Sequence, residues 1–216
     1  RNIAIGQGEL SVTPLQAANM MATLARRGRF IYPRLIIDPD ADDRRQRSWS
    51  LDVGRAEMDA IHDGLDRVVN DDGRGTGRWE ADGRRGTAYR YFQGFDTVPV
   101  AGKTGSAQCS RRVIDGQLYP PRTRVNEAGE SERVRPAHAW FAGYAPKDKP
   151  AVAVVAMVEF GMSGGRAAAP VARDVLQILV NLDYIPAPAA RKQPVAGAAR
   201  RDPPRPLDHA WMDEPT

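Results

Sequence analysis

The side chains best suited to chemistry lie together at residues 102–108, which read Gly-Lys-Thr-Gly-Ser-Ala-Gln. Lys103 carries a cation, and Thr104 and Ser106 carry hydroxyls. Because the preceding residues 98–101 are mostly apolar, the pattern predicts a strand whose glycines let a ligand or another backbone approach closely. Taken alone, the segment is better explained as a bulged edge strand with an ordinary surface lysine at its end.

Lys-Thr-Gly on a strand is one of three linked motifs of serine penicillin-binding proteins and serine β-lactamases, the others being Ser-x-x-Lys and Ser-x-Asn. Neither of those two occurs in this chain. The serines are at positions 11, 48, 50, 106, 110, 131 and 163, and none has lysine three residues later or asparagine two residues later. A three-residue match is a weak signal by itself, so its surroundings decide its meaning.

The surroundings form an ordered series of short segments along the chain. They are Ile-Gly-Gln-Gly at 5–8, Thr-Pro-Leu-Gln at 13–16, Gly-Thr-Ala at 86–88, Ala-Gly-Lys-Thr-Gly-Ser-Ala-Gln at 101–108, His-Ala-Trp-Phe-Ala-Gly-Tyr-Ala-Pro at 138–146, Gly-Gly at 164–165 and Ala-Pro at 169–170. Over about residues 3–184 this series resembles the transpeptidase domain of class B penicillin-binding proteins. It is more similar to the elongation type, penicillin-binding protein two, than to the division type.

The resemblance implies a peptidoglycan D,D-transpeptidase. In that family a serine attacks the D-Ala-D-Ala amide of a stem peptide, D-alanine leaves, and an amine from a neighbouring stem resolves the acyl-enzyme. The family's nucleophilic serine and its Ser-x-Asn loop lie in the earlier half of the domain, so we expect this chain to start just after both. We therefore expect residues 1–216 alone to be inactive and the complete protein to bind penicillin.

The resemblance also implies roles for the strand residues. Lys103 and Ser106 correspond to catalytic positions, and the Ser106 N–H would stabilise the negative charge that develops on the attacked carbonyl. Thr104, Gly105 and Ser106 correspond to substrate-binding positions, where hydroxyls and the Lys103 cation suit a substrate that ends in a carboxylate. Ser106 stands where the family commonly has threonine, and this change keeps the hydroxyl.

The expected partners and location follow from the same resemblance. They are peptidoglycan stem peptides, β-lactams and a membrane glycosyltransferase of the elongation machinery, at the periplasmic side of the inner membrane in the cell envelope. Neither a cofactor nor a metal is expected. The chain begins without methionine, so its lack of a targeting or membrane-spanning segment says nothing about the parent protein, for which we expect an upstream anchor.

Other function classes stay open at this point. A catalytically silent sensor or scaffold could keep the sheet and lose the nucleophile, although the intact Lys-Thr-Gly-Ser argues against it. A serine β-lactamase or carboxypeptidase shares Lys-Thr-Gly, but the segments at 5–8 and 138–146 favour the transpeptidase. The gene could also encode only this chain, as an inactive product or a half-domain completed by a partner.

Helical and strand patterns predict an α+β fold. Thr13 and Gln16 form a capping box before Pro14, which predicts a helix beginning there. A second helix is predicted over 55–70, and a third from Pro170. Strands are predicted at 98–108, 139–145 and 151–160, with the last two joined by a turn at 146–150. The third helix is expected to bury a stripe formed by Val171, Val175, Leu176, Ile178, Leu179 and Leu182.

The remaining segments predict surface structure. Residues 38–47 are charged and lack periodicity, which indicates a loop. Residues 110–136 contain six arginines and show little apolar periodicity. We therefore interpret this segment as an exposed insertion. The folded unit, the C-terminal part of the transpeptidase domain, is expected to end near Tyr184. Residues 185–216 are rich in Pro, Ala and Arg and are expected to be a disordered tail.

Composition excludes several other functions. The net charge of +4 is spread over interleaved acidic and basic residues, with no basic helix or aromatic-interleaved patch, so nucleic-acid binding is not expected. Cys109 is the chain's single cysteine, which excludes an internal disulfide and leaves no zinc-ligand spacing. No phosphate-binding Gly-x-x-x-x-Gly-Lys pattern accompanies the glycines at 6 and 8. His138 is interpreted as a packed strand residue.

Overall fold

The computed structural model describes residues 8, 11–34, 47–74, 85–125 and 128–186. The described helices are α1 (Pro14–Ala25), α2 (Arg55–Asn70), α3 (Tyr89–Phe92) and α4 (Ala169–Asn181), and a π-helical turn at Gly164–Ala168 leads into α4. The strands are β1 (Arg29–Ile31), β2 (Ser48–Ser50), β3 (Ala101–Gln108), β4 (Arg112–Ile114), β5 (Gln117–Tyr119), β6 (Thr123–Val125), β7 (Ser131–Arg133), β8 (Ala137–Ala145) and β9 (Val152–Val158).

The centre of the fold is an antiparallel sheet with the strand order β3-β8-β9. Within its register, Gly105 pairs with Trp140, and Phe141 pairs with Ala156. Phe141 and Tyr144 of β8 point to opposite faces, and both are fully buried at 0% and 1% exposure. The strand is therefore covered on both faces, and the predicted α+β class is confirmed.

Each face of the sheet has its own helices. One hydrophobic cluster holds Phe141, Val154 and Leu176, and it joins β8 and β9 to α4. The other cluster holds Met21 of α1, Leu65 of α2, Ala101 and Tyr144. The sheet is thus the middle of three layers, and β3 lies at its edge.

Helix α1 begins where the capping pattern predicts. The Thr13 N–H donates to the Gln16 side-chain oxygen at 2.8 Å, and the Gln16 N–H donates to the Thr13 hydroxyl at 3.2 Å. This reciprocal pair satisfies two N–H groups that have no partner within the helix. Helix α2 also has its predicted bounds and buries Met58, Leu65 and Val69.

The buried stripe predicted for the last helix is wrong. Helix α4 buries Ala169, Ala172 and Leu176, while four of the six predicted stripe residues are exposed: Val171 at 46%, Val175 at 39%, Ile178 at 55% and Leu182 at 60%. The helix is apolar on more than one side, so periodicity could not identify the side that packs. Small alanines let the helix approach the sheet closely, which explains why that side faces inward.

The first residue of the predicted tail packs into the core. Ile185 is fully buried in the same cluster as Leu176 and Phe141. The rest of the predicted tail, from residue 187, lies outside the described residues. So does most of the loop predicted at 38–47.

The segment after β3 contains regular structure that the sequence analysis did not predict. Strands β4 and β5 form one antiparallel hairpin, and β6 and β7 form another. Asp115 and Gly116, which join β4 to β5, have φ values of 50° and 81°, as a tight hairpin turn requires. Most described side chains of both hairpins are exposed. Among the described residues, no helix has the length and apolarity that crossing a membrane would require.

Candidate active site

The candidate site is built on the edge strand β3. Residues that pair across an antiparallel sheet share a face. Thr104 pairs with Phe141 and Ser106 with Ala139, on the face covered by α4. Lys103 pairs with Ala142, on the opposite face, where α1 and α2 pack. The predicted strand is confirmed, and it presents its cation and its two hydroxyls from opposite faces.

Lys103 is exposed and its ammonium folds back to the strand edge. Its Nζ donates a hydrogen bond to the Thr104 carbonyl at 2.8 Å. Successive residues of a strand direct their backbone groups to alternate edges, so the N–H groups of Thr104 and Ser106 share one edge. A cation is therefore held beside a row of backbone groups on β3.

A second hydroxyl lies against Thr104. The Thr87 and Thr104 hydroxyl oxygens are 2.7 Å apart, and either could be the donor. Thr87 belongs to the loop between α2 and α3, seventeen positions before Thr104 in the chain. Thr104 and Thr87 thus form a hydroxyl pair beside the strand edge.

Thr87 is positioned by backbone hydrogen bonds on both sides. The Gly86 N–H donates to the Asp71 carbonyl at 2.9 Å, and the Ala88 N–H donates to the Val68 carbonyl at 2.9 Å. Both carbonyls belong to the C-terminal end of α2 or to the residue directly after it. The end of this long helix therefore determines where the Thr87 hydroxyl lies.

The middle of β3 is supported by the π-helical turn. A Cβ on Gly164 would lie 2.3 Å from the Trp140 carbonyl oxygen and 2.5 Å from the Gly105 carbonyl oxygen. Only glycine permits such a close approach, because both neighbours are backbone atoms within the sheet. The turn therefore packs directly against the Gly105–Trp140 pair. Gly105 lies between Thr104 and Ser106, the two hydroxyl-bearing residues of β3.

His138 and Cys109 also lie near β3, and hydrogen bonds to the surrounding backbone account for both residues. The Phe160 N–H donates to His138 Nδ1 at 3.2 Å, so that nitrogen is occupied as an acceptor. Cys109 follows β3 directly, and its N–H donates to the Pro136 carbonyl at 3.1 Å. Burial raises the pKa of the Cys109 thiol, which disfavours the thiolate. Neither residue has the environment of an activated base or nucleophile.

This arrangement can bind and stabilise anions. A lysine and hydroxyls suit a substrate carboxylate, and an N–H group at a strand edge suits a developing oxyanion. A complete acyl-transfer site also requires a nucleophile. Among the described residues, no group of three or more His, Cys, Asp or Glu side chains could hold a metal ion.

The sequence alone gives Thr87 no role. Gly-Thr-Ala at 86–88 is part of the ordered series of segments, but the Thr87 hydroxyl is far from the strand in sequence. The contact depends on where the end of α2 lies against β3, and a single sequence contains no local sign of that. The roles of Lys103, Thr104, Gly105 and Ser106 stay predictions.

Comparison with known proteins identifies the domain. Residues 1–177 match the penicillin binding protein transpeptidase domain. The chain is 30% identical to the peptidoglycan D,D-transpeptidase MrdA of Haemophilus influenzae over 196 residues, which cover 83% of this chain and 25% of the relative. The chain thus spans about a quarter of the length of that relative.

Solved structures agree with that match. Penicillin-binding protein PBP2 of Pseudomonas aeruginosa, in complex with WCK 5153, is 28% identical with a TM-score of 0.53, covering 90% of this chain and 35% of that one. PBP2 of Helicobacter pylori, in complex with MreC, is 23% identical with a TM-score of 0.57, covering 85% and 28%, and it supports the fold alone. The resemblance found in the sequence is confirmed, and the chain belongs to the penicillin-binding protein transpeptidase domain family, as a class B, PBP2-like member.

Proposed function

We propose that the protein containing this chain is a peptidoglycan D,D-transpeptidase that works through a serine acyl-enzyme. This chain supplies the Lys-Thr-Gly-Ser strand, and the nucleophilic serine lies in an upstream Ser-x-x-Lys motif. The observation that carries the proposal is the edge strand β3, which combines the Lys103 ammonium, a positioned Thr87–Thr104 hydroxyl pair and the Ser106 backbone at one edge.

The stem peptide binds along the open edge of β3 in this proposal. The upstream serine attacks the carbonyl of the penultimate D-alanine, and the oxygen of that carbonyl gains negative charge. The Ser106 N–H donates a hydrogen bond to this oxygen as the charge develops. A preorganised donor of this kind contributes about 3 kcal/mol to the transition state.

The terminal carboxylate of the substrate is bound by the side chains that flank the strand edge. Lys103 contributes a positive charge from one face, and Thr104 contributes a hydroxyl from the other. Thr87 donates its hydrogen to the Thr104 oxygen, so the Thr104 hydroxyl hydrogen turns toward the carboxylate. Gly105 carries no side chain that could block the edge, and Ser106 adds a second hydroxyl for the substrate.

The acyl-enzyme then reacts with an amine of a neighbouring stem peptide, and this second transfer forms the cross-link. β-Lactams resemble the donor peptide and acylate the same serine in this proposal. The function requires a site in the cell envelope, and we place the protein at the periplasmic side of the inner membrane, held by an upstream anchor. A membrane glycosyltransferase of the elongation machinery would supply the glycan strands.

The experiment uses the full-length protein with a donor pentapeptide and an acceptor amine. We expect release of D-alanine together with a peptide joined to the acceptor. Release of D-alanine with hydrolysed peptide only would instead identify a carboxypeptidase. A folded protein that releases no D-alanine would reject the enzyme and favour the sensor or scaffold.

A variant tests the contribution of this chain. Lys103→Ala is expected to lower the rate of D-alanine release about 100-fold or more, because it removes the cation at the strand edge. Lys149→Ala, in the exposed turn between β8 and β9, is the matched control and should keep the wild-type rate. If both variants released D-alanine at the same rate, Lys103 would have no role in the reaction.

A further inference from the structure

The two hairpins that follow β3 border an open cavity with a strongly basic lining. Its volume is about 480 Å³, and it is lined by Arg111, Leu118, Arg122, Thr123 and Arg133. Three of these five residues are arginines. A cavity of this size is in the range that accepts small ligand groups.

A second cavity shares part of this basic lining and reaches the end of β3. Its volume is about 350 Å³, and Arg111 and Arg133 line both cavities. Gln108, the last residue of β3, also lines the second cavity. Because a strand rises about 3.3 Å per residue, Gln108 lies only about 7 Å along the strand from Ser106.

The arginines of the cavities have positive charge available for a ligand. None of the ion pairs among the described residues involves Arg111, Arg122 or Arg133. The neighbouring Arg112 is different, because it lies 3.7 Å from the Glu159 carboxylate. Within the described part of the chain, no carboxylate therefore forms an ion pair with the basic lining.

Arg111 is held in place with one donor unused. Its Nη2 donates to the Val134 carbonyl, which fixes the guanidinium between the hairpins. Its Nε is buried and has no hydrogen-bond partner among the described residues.

We propose that the two cavities form one carboxylate-binding site, the arginine site, for the part of the stem peptide that extends beyond its D-Ala-D-Ala end. The inference rests on the proposed function. Guanidinium groups bind carboxylates through paired, charge-assisted hydrogen bonds, and here Arg122 and Arg133 present theirs at the surface. Leu118 and Thr123 add an apolar wall and a hydroxyl for the adjoining peptide.

The site would act on substrate selection rather than on the chemical step. A stem peptide that follows the edge of β3 past Ser106 reaches Gln108 and then the arginines. The arginine site should therefore distinguish between two stem peptides that both keep the terminal D-Ala carboxylate. One has a free carboxylate in the part beyond the D-Ala-D-Ala end, and in the other that carboxylate is amidated.

The test compares these two peptides as donors for the full-length protein. The wild-type protein should release D-alanine faster from the free-carboxylate peptide, and this preference should fall as salt screens the charges. In the double variant Arg122→Gln/Arg133→Gln, kcat/KM for the free-carboxylate peptide should fall about 10- to 100-fold, as expected for lost bonds to a charged group. The amidated peptide should react at the wild-type rate.

The matched control is Arg112→Gln, which changes an arginine of β4, in the neighbouring hairpin, that lies 3.7 Å from the Glu159 carboxylate. It should keep the wild-type preference.

Labelling by penicillin separates the two proposals. If penicillin labels the protein but wild type shows no preference between the peptides, or the double variant slows both equally, the arginine site is overturned and the transpeptidase stands. If folded wild type is not labelled, both proposals fall.

Discussion

Strand β3 and the two hairpins that follow it are neighbours in sequence, and they differ in what determines their structure. The backbone of β3 is constrained from several directions, by pairing with β8 and by the close approach of Gly164. The hairpins pair only within themselves, and their described side chains are mostly exposed. The first region demands particular residues for steric reasons, whereas the fold of the second depends little on the packing of its side chains. We infer that the strand supports the reaction and that the hairpins adjust which substrate is used.

The largest expected effect is in the constrained region. Gly164→Ala places a Cβ 2.3 Å from the Trp140 carbonyl oxygen, so the turn or the strand must move. We expect a loss of about 3 kcal/mol or more in the free energy of unfolding, together with loss of penicillin labelling. Thermal unfolding of the full-length protein measures the first, and gel fluorescence measures the second.

Gly64→Ala is the control for this substitution. Gly64 lies inside α2, and a Cβ there would meet no atom within 4 Å. Alanine has the higher helix propensity, so this variant should be as stable as wild type or more stable by up to about 1 kcal/mol. If Gly64→Ala and Gly164→Ala were equally stable, the close support of β3 would be refuted.

A smaller effect is expected at the hydroxyl pair. Thr87→Val keeps the shape of the side chain and removes the hydroxyl that lies 2.7 Å from Thr104. We expect the acylation rate by penicillin to fall about 10-fold, which corresponds to one lost hydrogen bond in the site. Thr87→Ser should restore most of the rate. A valine variant that acylates at the wild-type rate would show that Thr87 only fills space.

The smallest effect is expected at the junction of the two regions. Cys109 joins the two ends of the segment 110–136 through a hydrogen bond from its N–H to the Pro136 carbonyl. Burial raises the pKa of its thiol. At neutral pH fewer of these thiols are ionised than in an exposed cysteine peptide, and thiolates are the reactive form. Alkylation by iodoacetamide should therefore be slower than for the peptide and should increase toward higher pH. If the protein were alkylated as fast as the peptide, the Cys109 thiol would not be protected by burial.

Much of the fold could be predicted where local rules are strict. The capping pair of Thr13 and Gln16 identified the start of α1. Alternation identified β8, and a run of valine and alanine identified β9. The helix α4 was predicted, but its buried stripe was not, because apolar residues cover more than one side and the packing side is decided by the sheet. The hairpins were missed although Asp115-Gly116 between apolar residues is a strong hairpin signal.

The site could be predicted only in part. Lys103, Thr104, Gly105 and Ser106 are adjacent in sequence, so a short motif was enough to single them out. Thr87 is distant in sequence, and its position depends on the packing of α2 against β3. The basic cavity likewise depends on how two hairpins pack together, and the arginine content of the segment indicated charge without indicating a cavity.

The central claim is that this chain supplies the substrate-binding strand for a serine nucleophile located upstream. The most direct measurement is labelling of the full-length protein with a fluorescent penicillin, followed by mass spectrometric identification of the acylated residue. We predict one acylated serine in an upstream Ser-x-x-Lys motif, and no labelling of residues 1–216 expressed alone. Acylation of a serine within residues 1–216, or no acylation of the folded full-length protein, would contradict the account.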